Sequence, residues 1–143
     1  MGTMKKSITI NAPVEKVFEY AENPENYPEI WPSLVEVKNI KELPNGGHSF
    51  DWVYKMAGMR LNGSSENIEY VPNERTAART SGGIESTVTW EYQPVDDGTK
   101  FTATTEYKIP IPVLGKLAES IVIKMEENGQ EVLLANLKAM MET

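Results

Sequence analysis

The sequence contains no cysteine and only one histidine. Disulfide bonds, thiolate metal sites and a cysteine nucleophile are therefore excluded, and so is a metal site built from several histidines. No segment reaches the roughly 18 consecutive apolar residues of a membrane-spanning helix. The opening residues, MGTMKK, also lack the apolar run of a signal peptide. We therefore expect a cytoplasmic protein with no integral membrane association.

Positive charge is scarce as well. The chain has 14 Lys and Arg against 21 Asp and Glu, which gives a formal net charge of −7. Nucleic acids are bound through clustered cationic side chains, so this composition argues against a nucleic-acid partner. An acidic surface still allows basic protein partners.

Short catalytic and cofactor motifs are missing too. The sequence has no GxSxG, HExxH, P-loop or GxGxxG pattern, so we predict no cofactor and no metal. The single histidine, His48, follows an Asn-Gly-Gly turn. It could act as a general base, but the position at a hairpin tip favours a solvated surface residue.

The length of 143 residues fits one domain with a substantial core. We expect a single domain over residues 1–143. Because Met4 offers a second possible start, residues 1–3 are interpreted as a cloning remnant.

Two short helical segments are predicted near the start of the chain. Apolar residues with helical spacing run over residues 14–21, directly after a proline that suits a first helical turn. A second turn is predicted over residues 27–31, where three nearby prolines surround Tyr27, Ile30 and Trp31. We expect these three side chains to face inward.

Most of the remaining chain has the period of two that is typical of β-strands. Glycine-, asparagine- and aspartate-rich turns interrupt this alternation and indicate consecutive hairpins. Strands are predicted over residues 5–10, 35–43, 48–56, 59–70, 75–81, 84–94 and 99–109. Together they form one antiparallel sheet.

The C-terminal segment is predicted to form one long helix over about residues 113–141. Its apolar stripe at 100° per residue comprises Leu114, Leu117, Ala118, Ile121, Met125, Val132, Ala135 and Ala139. The one sizeable apolar surface available to this helix is a face of the sheet. Gly129 also lies on the stripe, which indicates a close approach to the sheet or to a ligand, or a mild kink.

The turns predict which strand residues face the helix. A two-residue turn at residues 57–58 pairs Trp52 with Gly63 and Tyr54 with Leu61. The same turn pairs Phe50 with Ser65, so the rings of Trp52 and Phe50 lie opposite small residues, which leaves room for side chains to lean across.

A two-residue turn at residues 82–83 pairs Arg79 with Ser86, which places Arg79 on the inner face. A covered cation costs several kcal/mol unless it is paired or hydrated. The alternatives are a register displaced by one residue or an open end of the sheet.

Two further features concern the central strands. A turn at residues 97–98 pairs Trp90 with Thr105. In the strand over residues 59–70 the inward apolar positions change from odd to even, so we predict a β-bulge near Glu66 and Asn67. Such a bulge bends the sheet and leaves space beneath the helix.

This arrangement resembles the helix-grip fold of the START, polyketide-cyclase and birch-pollen-allergen superfamily, SRPBCC. The resemblance lies in ITINAPVEKVFEYAENPENYPEIWPSLVEV, and in GGIESTVTWEYQPVDDGTKFTATTEYKIP and LLANLKAMMET, which are similar to the cyclase/dehydrase-like branch. It implies an α+β fold: a seven-stranded curved antiparallel sheet, two short helices after strand 1, and one long C-terminal helix packed across the sheet. It also implies a cavity between sheet and helix.

The large inward side chains predict the walls of that cavity. The predicted lining comprises Trp52, Tyr54, Met56, Met59, Leu61, Arg79, Val88, Trp90, Tyr92, Phe101, Tyr107, Leu117, Ile121 and Met125. The predicted entrance comprises Tyr27, Ile30 and Trp31. The same residues could be ordinary core, since cavity walls in this fold are part of the core.

Three functions remain open on the sequence. The first is a binding protein for an apolar or amphipathic small molecule such as a lipid, isoprenoid or polyketide-like compound, because aromatic inward positions suit such a ligand. The second is a cyclase- or dehydratase-type enzyme that uses Tyr107 or a group supported by Arg79. The third is a protein-interaction module of the antitoxin or co-chaperone kind.

Overall fold

The protein is described by a computed structural model covering residues 2–56, 58–82, 85–108 and 115–142. Side chains are described for these residues except residues 56, 59, 108, 115–122 and 126. No helix in the described part of the chain is both long enough and apolar enough to cross a membrane.

The order of elements is the predicted one. The strands are β1 (Gly2–Ile10), β2 (Leu34–Glu42), β3 (His48–Met56), β4 (Met59–Val71), β5 (Arg75–Ser81), β6 (Glu85–Val95) and β7 (Gly98–Lys108). The helices are α1 (Val14–Ala21), a 3₁₀ turn (Pro24–Asn26), α2 (Tyr27–Ile30) and α3 (Gly115–Met141). Strand β1 starts earlier than predicted, because Gly2 and Thr3 already pair with β7.

The strands form one seven-stranded antiparallel sheet in the order β1-β7-β6-β5-β4-β3-β2. Strands β1 and β2 are the two edges, so α1, the 3₁₀ turn and α2 carry the chain from one edge to the other. The long helix α3 contacts β1 and both short helices. The predicted helix-grip architecture is confirmed.

The predicted register of the β3–β4 hairpin is confirmed. Trp52 pairs with Gly63, and Tyr54 pairs with Leu61. A Cβ atom added to Gly63 would overlap both the Trp52 ring and the carbonyl oxygen of Ser81. Glycine is therefore required where the indole crosses the neighbouring strand.

The predicted bulge in β4 is also confirmed. The pairing with β5 shifts between Asn67 and Glu69, which leaves Ile68 as the extra residue. Tyr70 then turns inward and packs edge-on against Phe18, with ring centroids 5.4 Å apart. The change from odd to even positions also predicts an inward Ile68, which is wrong, because Ile68 is 44% exposed.

The predicted inward position of Arg79 is wrong. Arg79 pairs with Thr87, and Thr80 pairs with Ser86, so the β5–β6 register is displaced by one residue from the prediction. A one-residue displacement turns every side chain to the other face of the strand. Arg79 is consequently exposed, and its neighbours Ala78 and Thr80 face inward.

The β6–β7 hairpin differs from the prediction by two residues. Trp90 pairs with Ala103 and Val88 with Thr105, because the tight turn lies at Asp96 and Asp97. A two-residue displacement preserves the face, so the aromatic residues of β6 still point inward.

In the part of α3 whose side chains are described, the buried face is not the predicted stripe; Leu114, Leu117, Ala118 and Ile121 lie outside that part. The face on the core comprises Gln130, Leu133, Leu134 and Leu137, whereas Met125 is 39% exposed. The helix carries apolar residues on both faces near its end. The face with three leucines is buried in preference to the face with alanine and valine, because burial of the larger leucine side chains gains more free energy.

Candidate functional site

A cavity lies between the inner face of the sheet and α3. Its volume is about 130 Å³. It arises because small residues, Ser65, Ala78 and Ser86, occupy the inner face of the central strands. Helix α3 does not fill the space above them.

The walls are mostly apolar and aromatic. The described residues that line the cavity are Met4, Glu22, Tyr27, Trp31, Leu34, His48, Phe50, Trp52, Tyr54, Leu61, Ser65, Asn67, Thr76, Ala78, Thr80, Ser86, Val88, Trp90, Thr105, Tyr107, Ile123, Gln130 and Leu133. Such a surface, with a few oriented polar groups, is typical of small-molecule sites.

The aromatic rings support one another through edge-to-face contacts. The centroid of the Tyr27 ring lies 5.5 Å from the ring centroid of Phe50 and 5.7 Å from that of Trp90. Trp31 contacts Tyr54 in the same manner at 6.0 Å. These contacts fix ring orientation, so the walls are preorganised.

A buried carboxyl group forms part of one wall. Glu22 is the residue directly after α1, and it is only 5% exposed. Its Oε2 atom accepts hydrogen bonds from Thr76 Oγ1 at 2.8 Å and from the hydroxyl of Tyr92. These bonds connect the end of α1 with β5 and β6.

Burial dominates the protonation of this carboxyl. Removal from water raises the pKa of Glu22 to about 7, although the hydrogen bonds from Tyr92 and Thr76 act in the opposite direction. Its position at the C-terminal end of α1 also disfavours negative charge, since that end of the helix dipole is negative. A carboxyl with this pKa exchanges protons at neutral pH.

Three buried polar atoms around the cavity have no hydrogen-bond partner within the described structure. They are the Nε1 atom of Trp90, the Oε1 atom of Gln130 and the Nδ1 atom of His48. All three residues line the cavity. Gln130 Nε2 donates to the carbonyl oxygen of Ala103 at 3.1 Å, which orients Oε1 away from that carbonyl.

Strand β4, which contains the bulge, holds His48 in place. Its backbone N–H donates to Oδ1 of Asn67 at 2.8 Å, and Asn67 itself lines the cavity. The expectation of a solvated surface histidine is therefore wrong. Position 48 follows the same alternation as Phe50 and Trp52, which was the signal for an inward side chain.

The structure brings many of the predicted site residues together. Trp52, Tyr54, Leu61, Val88, Trp90 and Tyr107 lie in the wall, as do Tyr27 and Trp31 from the predicted entrance. Tyr92 was predicted to line the cavity but lies in the core beside it, where it donates a hydrogen bond to Glu22.

Other predicted residues lie elsewhere. Phe101 and Ile30 are completely buried in the core and do not line the cavity. Arg79 lies on the outer face of the sheet, and Met125 is exposed and does not line the cavity. The side chains of Met56, Met59, Leu117 and Ile121 are outside the described residues.

Two important polar residues were missed. Glu22 comes four residues after Phe18, so it continues the buried face of α1 by one turn. Gln130 shares the face of α3 with Leu133, Leu134 and Leu137 in the same way. The pattern of apolar residues alone does not identify polar residues that lie on the same buried face.

A second depression adjoins the cavity. It is lined by Pro32, Ser33, Tyr54, Lys55, Met125, Asn128, Gly129 and Val132. Tyr54 belongs to both linings, so its side chain forms a shared wall between the depression and the cavity.

No group of three or more His, Cys, Asp or Glu side chains suited to a metal ion occurs among the described residues.

Comparisons with solved structures support the same fold. A protein from Thermus thermophilus, TTHA0849, is 25% identical with a TM-score of 0.78, over 96% of this chain and 95% of that chain. The Zhui aromatase/cyclase from Streptomyces sp. R1128 is 17% identical with a TM-score of 0.81, over 99% and 93%. A START superfamily protein from Mycobacterium smegmatis is 13% identical with a TM-score of 0.78, over 96% and 98%.

No curated protein sequence matches the chain. A family described as polyketide cyclase / dehydrase and lipid transport matches residues 1–142. The match covers the sheet, both short helices and α3. The chain therefore belongs to this polyketide cyclase/dehydrase and lipid-transport family.

Proposed function

We propose that the protein binds an apolar or amphipathic small molecule, such as a lipid, isoprenoid or polyketide-like compound, in the cavity beneath α3. One observation carries the proposal. Three buried polar atoms lack a hydrogen-bond partner in the described structure, and all three belong to residues that line one aromatic cavity: Trp90, Gln130 and His48. An unsatisfied buried polar group costs about 1–3 kcal/mol, so a ligand that supplies partners recovers this free energy.

The chemistry of the walls supports the same ligand class. Aromatic rings provide large apolar contact area, and a few fixed polar groups orient what they enclose. The family description names polyketide cyclases, dehydrases and lipid transport, and the last of these supports an apolar ligand.

Native mass spectrometry of gently purified protein, followed by a panel of lipids and isoprenoids, tests the proposal. We expect a bound apolar compound in the native protein. Val88→Phe fills the cavity from β6 and should abolish the complex. Thr87→Phe adds the same ring to the outer face of β6 and should retain it. A complex that survives Val88→Phe in folded protein, or a cavity that accepts no compound, contradicts the proposal.

A cyclase- or dehydratase-type enzyme is the second candidate, and Glu22 is the observation that favours it. A carboxyl with a pKa of about 7 beside an apolar cavity can take or return a proton during a reaction. Turnover found in an activity screen should then be lost in Glu22→Gln while the fold remains intact. Tyr107→Phe tests the phenol that lines the cavity, whereas Arg79→Ala should have no effect.

A further inference from the structure

We propose that the natural ligand carries a basic nitrogen, and that the carboxylate of Glu22 binds this nitrogen inside the cavity. The inference rests on the proposed function, because the ligand must first occupy the same cavity. It narrows the ligand class from apolar compounds in general to apolar amines and related bases.

The charge of the walls is the first argument. Among the described residues that line the cavity, Glu22 is the one Asp or Glu, and none is Lys or Arg. An anionic ligand would meet a buried carboxylate without a compensating cation, which costs free energy through repulsion and desolvation. A cationic ligand supplies the missing partner. The formal net charge of −7 also attracts cations from solution.

The hydrogen bonds of Glu22 leave room for such a partner. Thr76 and Tyr92 both donate to Oε2, so neither hydroxyl occupies Oε1. Two neutral donors hold the carboxyl in place without neutralising its charge. An ammonium group at Oε1 would complete the site with a charge-assisted hydrogen bond.

The surrounding rings suit a cation. Tyr27 packs against Phe50 and Trp90. Burial raises the pKa of its phenol, and Tyr27 also lies close enough to Glu22 for the charge of the carboxylate to raise that pKa further. The faces of aromatic rings attract organic cations by about 0.5–2 kcal/mol. The buried Oε1 atom of Gln130 offers another acceptor that lacks a partner among the described residues, which suits an N–H donor.

The protonation of the site sets the pH dependence of binding. The titratable side chains that face Glu22 are Tyr27 on α2, Tyr70 on β4 and Tyr92 on β6, and burial raises the pKa of each phenol. They stay neutral near pH 7. His48 on β3 lines the same cavity and needs a control of its own.

Three test compounds with one ring system separate the possibilities. They are 2-naphthylmethylamine, 2-naphthylmethanol and 2-naphthoate, which are cationic, neutral and anionic near neutral pH. Isothermal titration calorimetry with the full chain at about pH 6 and about pH 8 gives the affinity of each. Buffers of different ionisation enthalpy report the protons released on binding.

We expect the amine to bind at least about tenfold more tightly than the alcohol at pH 8, and the carboxylate to bind weakest. The amine affinity should rise about tenfold from pH 6 to pH 8, because the ionised fraction of a carboxyl with a pKa near 7 rises by that factor. Amine binding at pH 6 should release a proton. The alcohol should show neither effect.

Two variants assign the effect to its residue. Glu22→Gln keeps the size of the side chain and an oxygen for Thr76 and Tyr92, but it should lose the preference for the amine and its pH dependence. His48→Asn removes an imidazole from the cavity wall, so it should weaken the binding of amine and alcohol alike. The ratio of their affinities, and the rise of that ratio from pH 6 to pH 8, should remain. Because the three compounds are compared on the native protein first, the result does not depend on whether Glu22→Gln folds.

The outcomes distinguish the two proposals. Equal affinity for amine and alcohol, or tighter binding of the carboxylate, overturns the inference while the proposed function stands. An unchanged amine preference in folded Glu22→Gln also overturns it. If none of the three compounds binds at any pH, the proposed function fails for ligands of this size and the inference fails with it.

Discussion

The hydroxyl of Tyr92 donates a hydrogen bond to the carboxyl of Glu22, and both side chains are buried. The bond joins the end of α1 to β6 across 70 residues of chain. The stability of the fold therefore depends on the protonation state of Glu22, which lines the cavity.

The first prediction concerns stability against pH. Burial raises the pKa of Glu22 from 4.5 to about 7 on folding, so the folded state holds this proton more tightly than the unfolded state. The contribution of Glu22 to stability is fully present below about pH 4.5 and is lost as pH rises through about 7. The loss amounts to roughly 3 kcal/mol.

Urea unfolding of the native protein and of Glu22→Gln at about pH 5 and about pH 8 checks this prediction. Titrations shared by both proteins cancel when the two pH differences are subtracted. We expect the native protein to lose about 2.5 kcal/mol more than the variant between these pH values, because part of the effect is already lost at pH 5. Identical losses would show that Glu22 does not titrate in this range.

The second prediction contrasts two glycines. A Cβ atom added to Gly129 in α3 would meet its nearest neighbour, the Tyr54 hydroxyl oxygen, at 3.8 Å, which is ordinary contact. Gly129→Ala should therefore stabilise the protein by about 0.5–1 kcal/mol through its helix propensity. Gly63→Ala should destabilise it by about 1–3 kcal/mol, because the methyl group would overlap Trp52 and a backbone oxygen.

Thermal and urea unfolding of both variants provides the measurement. Sterics therefore do not require a glycine at position 129 for the approach of α3 to the sheet. A destabilised Gly129→Ala would contradict this conclusion.

The third prediction tests the register of β5. Arg79→Ala should change the free energy of unfolding by less than about 0.5 kcal/mol and leave ligand binding intact, since its side chain is exposed. Ala78→Glu should cost about 1–3 kcal/mol, because it places a carboxyl on the inner face. The opposite ranking would favour the register predicted from the turn at residues 82–83.

This register shows what the sequence could and could not predict. Charged Arg75 and Arg79 alternate with Thr76, Ala78 and Thr80, and this pattern alone places the arginines outside. An assumed two-residue turn at residues 82–83 overrode that pattern. Period and element order predict the sheet well, whereas hairpin register depends on turn geometry that composition does not determine.

The site was predictable in its apolar part and not in its polar part. Trp52, Tyr54 and Trp90 follow the alternation of their strands. Glu22 becomes a site residue only because α1 docks it against β5 and β6, a contact between segments far apart in the chain. Long-range burial of this kind raises its pKa, and it leaves no local pattern beyond the position after Phe18.

The fourth prediction concerns the predicted entrance. Trp31 is half-buried, lines the cavity and contacts Tyr54, whereas neighbouring Ile30 is core. Trp31→Ala should weaken ligand binding by more than its loss of stability explains. Ile30→Ala should cost about 2–5 kcal/mol of stability but leave the affinity of the folded protein unchanged. Affinity that follows stability alone in both variants would remove Trp31 from the site.

The central claim is that a ligand occupies the cavity and meets its unpaired polar groups. The most direct measurement follows the indole N–H signals of Trp31, Trp52 and Trp90 by NMR during titration with 2-naphthylmethanol, using Trp90→Phe for assignment. We predict the largest shift for Trp90, whose N–H has no partner among the described residues, and a smaller one for Trp52, whose N–H already donates to Ser65 Oγ at 3.1 Å. An unmoved Trp90 signal at saturating compound would contradict the account.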